Sequence, residues 1–332
     1  MSKRFQLVGI GNAMVDVLAH ADDAFLAANA VEKGIMQLID RARGVDLYGR
    51  IGPATEMSGG SAANTIAGFA HLGGAAAYVG KVKDDQLGAI FGHDLRAQGV
   101  HYDVALAPAA HPEETGRCIV LVTPDGERSM NTYLGVTEHL APADIDEDTM
   151  EQTDWVFLEG YRFDGPESHE AFARAIKAVK RGGGKVALTL SDPFCVERHH
   201  GAFAEMLKTD VDLLCANRAE IMAMYGAGDF DAALQAAAND VETVVCTEGE
   251  HGAHVVAGSN RWHCPAVPTR VVDATGAGDL FAAGFLWGLV EGHDLETCGI
   301  MGNIAASEVI GHLGARAEAD LKASFRSFGL NV

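Results

Sequence analysis

The sequence predicts an α/β fold with a mostly parallel central sheet between two layers of helices, and a small second sheet beside it. Short apolar, β-rich segments alternate with amphipathic helical segments, which is the pattern of parallel strands joined by crossover helices. Two segments, residues 14–58 and 115–136, interrupt this alternation. We expect them to form the second sheet as a small separate domain, with residues 1–13, 59–114 and 137–332 in the main domain.

Each predicted strand is a short apolar run between turn residues, and each predicted helix has an apolar face. The predicted strands of the main sheet are Phe5–Gly11, Ala76–Gly80, Asp154–Glu159, Lys185–Leu190, Val211–Ala216 and Thr243–Thr247. The predicted helices are Ser61–Leu72, Gln86–Gln98, Pro166–Arg181, Ala202–Leu207, Ala277–Glu291 and Leu295–Ile310. Residues 115–134 are predicted to form a hairpin, because Pro124-Asp125-Gly126 favours a tight turn between two strands. The run Gly182-Gly183-Gly184 predicts the end of a helix before the next strand.

The composition is that of a folded protein with an acidic surface. Hydrophobic residues make up 48% of the 332 residues and charged residues 21%, which excludes a disordered chain. The formal net charge of −21 repels nucleic acids and anionic lipids, so we expect neither as a partner. The start, MSKRFQLVGIGN, lacks the apolar core of a signal peptide, and the longest apolar run, Leu280–Val290, is too short to span a bilayer. We therefore expect a cytoplasmic protein, with its six scattered cysteines reduced and in the core.

The strongest local motif is Asp273-Ala-Thr-Gly-Ala-Gly-Asp279, which leads directly into a predicted helix. A glycine-rich turn at a helix start presents unpaired backbone N–H groups and the positive end of the helix dipole, which suits phosphate oxygens. Asp279 is the unexpected member, because a carboxylate repels phosphate. It is either a group that accepts a proton or simply an N-cap of the helix.

A second glycine pair, in Ser58-Gly-Gly-Ser-Ala-Ala-Asn64, also stands at a predicted helix start. Gly59 and Gly60 allow a ligand to approach the backbone, and the amide of Asn64 can bind a hydroxyl. The alternative is a helix cap whose small residues are required for packing.

The first strand ends in Gly9-Ile-Gly11, but Met14 occupies the third glycine position of a dinucleotide-binding fingerprint, so we reject that fold. Asp16 can accept hydrogen bonds from vicinal hydroxyls of a ligand, or it is a turn carboxylate. The sequence also contains no P-loop, protein-kinase, hydrolase or zinc-protease motif. The histidines in His251-Gly-Ala-His254 and His199-His200 read as loop residues without companion ligands, which argues against a structural zinc site.

The two glycine motifs together resemble the two signature regions of the ribokinase, or pfkB, family of carbohydrate and nucleoside kinases. The resemblance covers nearly the whole chain and implies a three-layer α/β/α ribokinase-like domain with a small β-sheet lid. Asn217-Arg-Ala-Glu220 resembles the NxxE element of the family, which tunes magnesium and phosphate binding. The adenosine kinase branch is the most similar, because the interval from Asp16 to Gly59 is long, and because Thr189–Phe194 and Asp125–Ser129 resemble its segments.

The resemblance implies ATP as phosphoryl donor, Mg²⁺ as its ion, and a nucleoside or sugar as acceptor. It assigns Asp279 as base, with the backbone of Gly276, Ala277 and Gly278 as the anion hole and Arg128 reaching the transferred phosphoryl from the lid. The residues implied for the acceptor are Asp16, Asn12, Gly59, Gly60 and Asn64 at sugar hydroxyls, and Phe194, Tyr161, Met130 and Leu134 around the base. The residues implied for the nucleotide are Asn217, Glu220, Thr247, Gly249, Thr275, Gly278 and Asn303. Glu220 would contact Mg²⁺ indirectly, and Asp273 and Gly314 would stand at a monovalent-cation (K⁺) site.

Two departures from adenosine kinases, Arg162 after Tyr161 and Gln37 in place of an apolar lid residue, predict a more polar base pocket. Glu318 stands where ribokinases use a small polar cation ligand. A pfkB-type sugar kinase acting on ribose, fructose or a keto-deoxy sugar acid is the alternative, and a non-catalytic nucleotide or sugar sensor is a third reading. The oligomeric state is expected to be a monomer or a homodimer formed through the lid.

Overall fold

The computed structural model describes residues 3–226 and 228–332, which form two sheets and their covering helices. The strands are β1 (Phe5–Ile10), β2 (Met14–His20), β3 (Met36–Leu38), β4 (Ala54–Gly59), β5 (Ala76–Val79), β6 (Gly116–Val122), β7 (Arg128–Tyr133), β8 (Thr153–Glu159), β9 (Lys185–Thr189), β10 (Leu213–Asn217), β11 (Thr243–Thr247), β12 (Ala253–Ala257) and β13 (Asn260–Cys264). The α-helices are α1 (Asp23–Ala28), α2 (Arg41–Tyr48), α3 (Ser61–His71), α4 (Gln86–Ala97), α5 (Glu147–Glu151), α6 (Ser168–Arg181), α7 (Pro193–Thr209), α8 (Arg218–Tyr225), α9 (Phe230–Asp240), α10 (Ala277–Val290), α11 (Leu295–Val309) and α12 (Leu321–Ser327).

The main sheet has the order β13-β12-β11-β10-β9-β8-β1-β5. The strands from β11 to β5 are parallel, and β12 and β13 add an antiparallel edge. All six predicted strands are confirmed at these positions, whereas the β12–β13 hairpin was not predicted. The central strands are continuous apolar runs because helices bury both faces.

Alternate residues of each central strand belong to two different hydrophobic cores, since successive side chains of a strand point to opposite faces. On β1, Leu7 packs in the core that contains α3, α10 and α11, whereas Val8 packs in the core that contains α6, α7 and α9. These two cores give the three-layer arrangement. They hold the parallel strands so that their carboxyl ends form one edge of the sheet.

The second sheet has the order β3-β7-β6-β2-β4, and its strands come from the two segments that interrupted the alternation. The predicted hairpin is confirmed: β6 and β7 are antiparallel, and Gly126 N donates to Thr123 O (2.9 Å) in the turn. The division of the chain into two domains with the predicted boundaries stays a prediction.

Helix α7 is much longer than the predicted Ala202–Leu207. It begins at Pro193, where Asp192 accepts a hydrogen bond from Cys195 N (2.6 Å) as N-cap. His199 has non-helical backbone angles inside it, and this kink shifts the apolar face and hides the periodicity. His199 and His200 therefore lie in a helix, which corrects their assignment to a loop.

The remaining sequence expectations on the core agree with the structure. Helix α6 ends at Arg181, and β9 begins at Lys185, as the glycine run predicted. All six cysteines are buried and free. Within residues 3–226 and 228–332, no helix is both long and apolar enough to cross a membrane.

Candidate active site

A deep cleft lies between the carboxyl edge of the main sheet and one face of the second sheet. The last residues of four parallel strands, Glu159, Thr189, Asn217 and Thr247, all line it. Ligands of open α/β sheets bind at this edge, because loops and helix N-termini converge there. Many of the predicted site residues also line the cleft: Asn12, Asp16, Gly60, Asn64, Arg128, Met130, Leu134, Tyr161, Glu220, Thr275, Gly276, Gly278 and Asp279.

Asp279 lies in the first turn of α10 and is held by α3. Its carboxylate accepts hydrogen bonds from Ser61 Oγ (2.7 Å) and from Asn64 Nδ2 (2.8 Å). The N-cap of α10 is Gly276, so Asp279 is not a simple capping residue. Desolvation raises the pKa of Asp279, while the hydrogen bonds from Ser61 and Asn64 and the charge of Arg128 oppose that rise.

The loop before α10 is tied in place by Asp273. One carboxylate oxygen accepts from Thr275 N (2.9 Å) and Thr275 Oγ1 (2.6 Å), and the other accepts from Gly314 N (2.9 Å). Gly276 then turns the chain into the helix with φ +80°, a conformation that favours glycine. The first amides of α10 have no partner within the helix, and Gly278 opens onto the cleft, so this loop can bind an anion.

Asp16 lies on β2, and its carboxyl group approaches Gly59 of the neighbouring strand β4. A Cβ atom on Gly59 would stand 2.1 Å from Asp16 Cγ, so only glycine leaves room for this carboxyl group. Burial raises the pKa of Asp16 to about 7, against the attraction of Arg316 and with the repulsion of Asp279. Gly59 therefore leaves the space that the Asp16 carboxyl group occupies.

Arg316 is a partly buried cation near Asp16 and Asp279 that the sequence alone did not reveal. Its guanidinium donates to Ala63 O (2.6 Å) and to Ser58 O (3.1 Å), so it fixes the start of α3. Burial lowers the pKa of Arg316 to about 10, and the charges of Asp16 and Asp279 oppose that change. No motif marks it, since a lone arginine after an alanine is typical of a surface position.

Glu159 is a second residue that the sequence reasoning missed. Its carboxylate accepts from Asn12 N (3.1 Å) and Ala62 N (2.8 Å), and burial raises its pKa to about 7. It joins the end of β1 to the start of α3. Its position as the last residue of a predicted strand was a signal that could have found it.

The two predicted polar substitutions of the base pocket do not face the cleft. Arg162 is buried beneath it, where its guanidinium donates to Asn12 Oδ1 (3.0 Å) and Ser168 Oγ (2.8 Å). Gln37 Nε2 donates to Asn131 Oδ1 (2.7 Å), and its β3 neighbours, the apolar Met36 and Leu38, line the cleft instead. The expectation that these two residues make the pocket more polar was therefore wrong: alternate residues of β3 face opposite ways, which turns Gln37 from the cleft, and Arg162 lies beneath it.

At the other end of the cleft, Asn217 and Glu220 form a capping box at the start of α8. Asn217 Oδ1 accepts from Glu220 N (2.9 Å), and a Glu220 carboxylate oxygen accepts from Asn217 N (3.0 Å). Burial raises the pKa of Glu220 to about 7. A carboxylate held in this way lies in the cleft wall beside Thr247.

Several predicted site residues do not line the cleft: Gly59, Phe194, Gly249, Asp273, Ala277, Asn303 and Gly314. Phe194 is 49% exposed in the first turn of α7. Asn303 donates to Cys264 O (2.9 Å) and Pro265 O (3.1 Å), and so secures the backbone after β13. Gly249 begins a 3₁₀ turn after β11.

Residues 34–321 match the pfkB family of carbohydrate kinases. The chain belongs to this family. The fold is ribokinase-like, and the kinases of this family use ATP, usually with Mg²⁺.

The similar proteins include both adenosine kinases and a probable sugar kinase. The structure of adenosine kinase from Sinorhizobium meliloti is 46% identical, with a TM-score of 0.94 and coverage of 98% of this chain and 99% of that one. A probable sugar kinase from Rhizobium etli is 44% identical, with a TM-score of 0.95 and the same coverage. Adenosine kinase of Saccharomyces cerevisiae is 28% identical over 331 residues, or 93% of this chain and 95% of the relative.

The buried carboxyl group of Asp16 predicts a pH dependence of stability. Its pKa rises from an ordinary value of 3.8 to about 7 on folding. Between these values the folded protein holds a proton that the unfolded chain has released, so stability falls as pH rises, by up to about 1.4 kcal/mol per pH unit. Urea unfolding at pH 5.5 and 7.5 measures how much the free energy of unfolding falls between these two pH values. This fall should be about 1 to 2 kcal/mol smaller in Asp16→Asn than in the wild type. Asp148→Asn, at an exposed position of α5, serves as the control, and equal losses in all three proteins would contradict the burial of Asp16.

Two glycines of the anion loop should respond differently to alanine. In Gly276→Ala, the new Cβ would stand 2.7 Å from Ala315 Cβ at a positive φ, and we expect a loss of about 2 kcal/mol or more. In Gly278→Ala, the Cβ meets no atom within 4 Å, so the melting temperature should be kept while ATP binding weakens. Thermal unfolding and nucleotide titration measure both effects. Equal stability of the two variants would show that Gly276 does not need its left-handed conformation.

Proposed function

We propose that this pfkB kinase transfers the γ-phosphoryl group of ATP to the 5′-hydroxyl of a nucleoside, with adenosine as the preferred acceptor. The observation that carries the proposal is the position of Asp279. Its carboxylate lies in the first turn of α10, at the helix start that can bind an anion, and is held by Ser61 and Asn64 of the adjacent helix α3. An alcohol bound between these walls would face a phosphoryl group held at the helix start.

In this proposal, Asp279 accepts the proton of the attacking hydroxyl as the new P–O bond forms. Desolvation raises its pKa and so makes it a better base than an exposed aspartate. Ser61 and Asn64 orient the carboxylate. The amides of Gly276, Ala277 and Gly278 stabilise the charge on the transferred group, as positioning and electrostatics dominate phosphoryl transfer.

The nucleotide would extend from the anion loop along the ends of β10 and β11. Arg128 of β7 would approach the transferred phosphoryl group from the second sheet. Asn217, Thr247 and Thr275 would contact the phosphates, and Glu220 would hold Mg²⁺ through water, because its carboxylate is already engaged by Asn217. Bound Mg²⁺ would neutralise phosphate charge.

A monovalent cation at Asp273 and Gly314 stays a prediction. Three protein donors already bind the Asp273 carboxylate, from Thr275 N, Thr275 Oγ1 and Gly314 N. In the proposed enzyme, these contacts help to hold the anion loop.

The acceptor site supports a nucleoside over a bare sugar. Asp16, Asn12 and Asn64 can bind ribose hydroxyls, and Gly60 allows the sugar to approach the backbone. The facing wall is apolar, with Met36, Leu38, Cys118, Val120, Met130 and Leu134 lining the cleft. Such a surface favours a flat purine ring, whereas a small sugar would leave it uncovered. Tyr161 also lines the cleft and would contact the base.

A sugar kinase is the second candidate, because the similar protein from Rhizobium etli is described as a probable sugar kinase. Its identity of 44% is close to the 46% of the adenosine kinase from Sinorhizobium meliloti, so similarity alone does not separate the two activities.

As an adenosine kinase, the protein would act in purine salvage in the cytoplasm, either as a monomer or as a homodimer formed through its second sheet.

A panel of acceptors with Mg·ATP tests the proposal. Adenosine should give the highest kcat/KM, measured by ADP release, when it is compared with inosine, guanosine, ribose, fructose and a keto-deoxy sugar acid. Met130→Ser should lower kcat/KM for adenosine by about 10-fold, since the base loses apolar contact, and should leave ribose turnover unchanged. A higher kcat/KM for any sugar would favour the sugar kinase. Tight binding without ADP release across the panel would favour a sensor.

A further inference from the structure

Two histidines and a glutamate meet at the base of the β6–β7 hairpin, outside the cleft. His111 and Glu113 lie in the loop that leads into β6, and His139 ends the 3₁₀ segment Gly135–His139 that follows β7. One nitrogen of each imidazole and one carboxylate oxygen of Glu113 all lie within 4.8 Å of one another. The three side chains are partly or fully exposed, so an ion can reach them from solvent.

We propose that His111, Glu113 and His139 bind a divalent transition-metal ion of the zinc class. Two imidazoles and one carboxylate are a common ligand set for Zn²⁺, with water in the fourth position. Ligand atoms around tetrahedral Zn²⁺ lie about 3.4 Å apart, so the observed spacing requires only small side-chain movements. Mg²⁺ prefers oxygen ligands, which separates this site from the nucleotide-bound ion.

The ligands are pre-positioned by contacts within and around the loop. Lys83 Nζ donates to His111 O (2.7 Å), and Glu113 N donates to His111 Nδ1 (3.2 Å). His139 Nε2 and Glu113 Oε2 are 2.5 Å apart, at hydrogen-bond distance. An ion bound through His139 Nε2 would replace this hydrogen bond, with the imidazole proton carried on Nδ1.

An ion at this position would link the loop before β6 to the 3₁₀ segment after β7. Arg128 and Met130 on β7, and Leu134 just after it, line the cleft. Binding would therefore stabilise the base of the element that forms one wall of the cleft. The site does not depend on which acceptor the enzyme uses.

Calorimetric titration of the full chain with ZnCl₂, without nucleotide, tests the proposal. The wild type should bind one equivalent of Zn²⁺, and His111→Ala/His139→Ala should weaken binding on the order of 100-fold. Glu113→Gln should weaken it less. His93→Ala, which removes an exposed histidine of α4, is the matched control and should bind like the wild type.

A second readout separates loss of the site from loss of folding. Co²⁺ should give the visible absorption of a low-coordinate nitrogen and oxygen site in the wild type and in His93→Ala only. Zn²⁺ should raise the melting temperature of these two proteins and leave that of the folded double variant unchanged. Equal Zn²⁺ affinity in the double variant would place the ion elsewhere, for example on the cleft carboxylates, and would overturn the proposal. Absence of one-equivalent binding to the wild type would overturn it as well.

Discussion

The site depends on a carboxylate of α10 that is held by two side chains of α3. Asp279 and its partners Ser61 and Asn64 are separated by 218 and 215 residues in the chain. Their hydrogen bonds require the two helix starts to lie side by side, and the packing of α3 against α10 in one core provides this. In the proposed enzyme, the anion loop and the acceptor wall are built on these same helix starts, so this contact would set the distance between the two substrates.

The cost of this arrangement is a cluster of buried carboxyl groups. Burial raises the pKa values of Asp16, Glu159 and Glu220 to about 7, so each destabilises the folded protein when it ionises. Arg316 partly offsets the charge near Asp16 and Asp279. Apolar burial in the two large hydrophobic cores on either side of the main sheet offsets this destabilisation.

The sequence predicted the elements that have strong local signals. The six central strands are apolar runs between turn residues, and the glycine motifs mark helix starts, so both could be located. Local patterns could not reveal contacts between distant segments: Arg316 has no motif, and its role arises only when its loop folds onto Ser58 and Ala63. The direction of Gln37 was also not predictable, since it depends on the pairing of the three-residue strand β3 with β7.

The most direct test of the central claim is the kcat of Asp279→Asn with Mg·ATP and the best acceptor. A carboxamide of the same size keeps the site filled but cannot accept the proton. We expect a kcat lower by roughly 10² to 10⁴, with ATP affinity little changed and a melting temperature no lower than that of the wild type. A kcat close to the wild-type value in the folded variant would show that Asp279 is not the base.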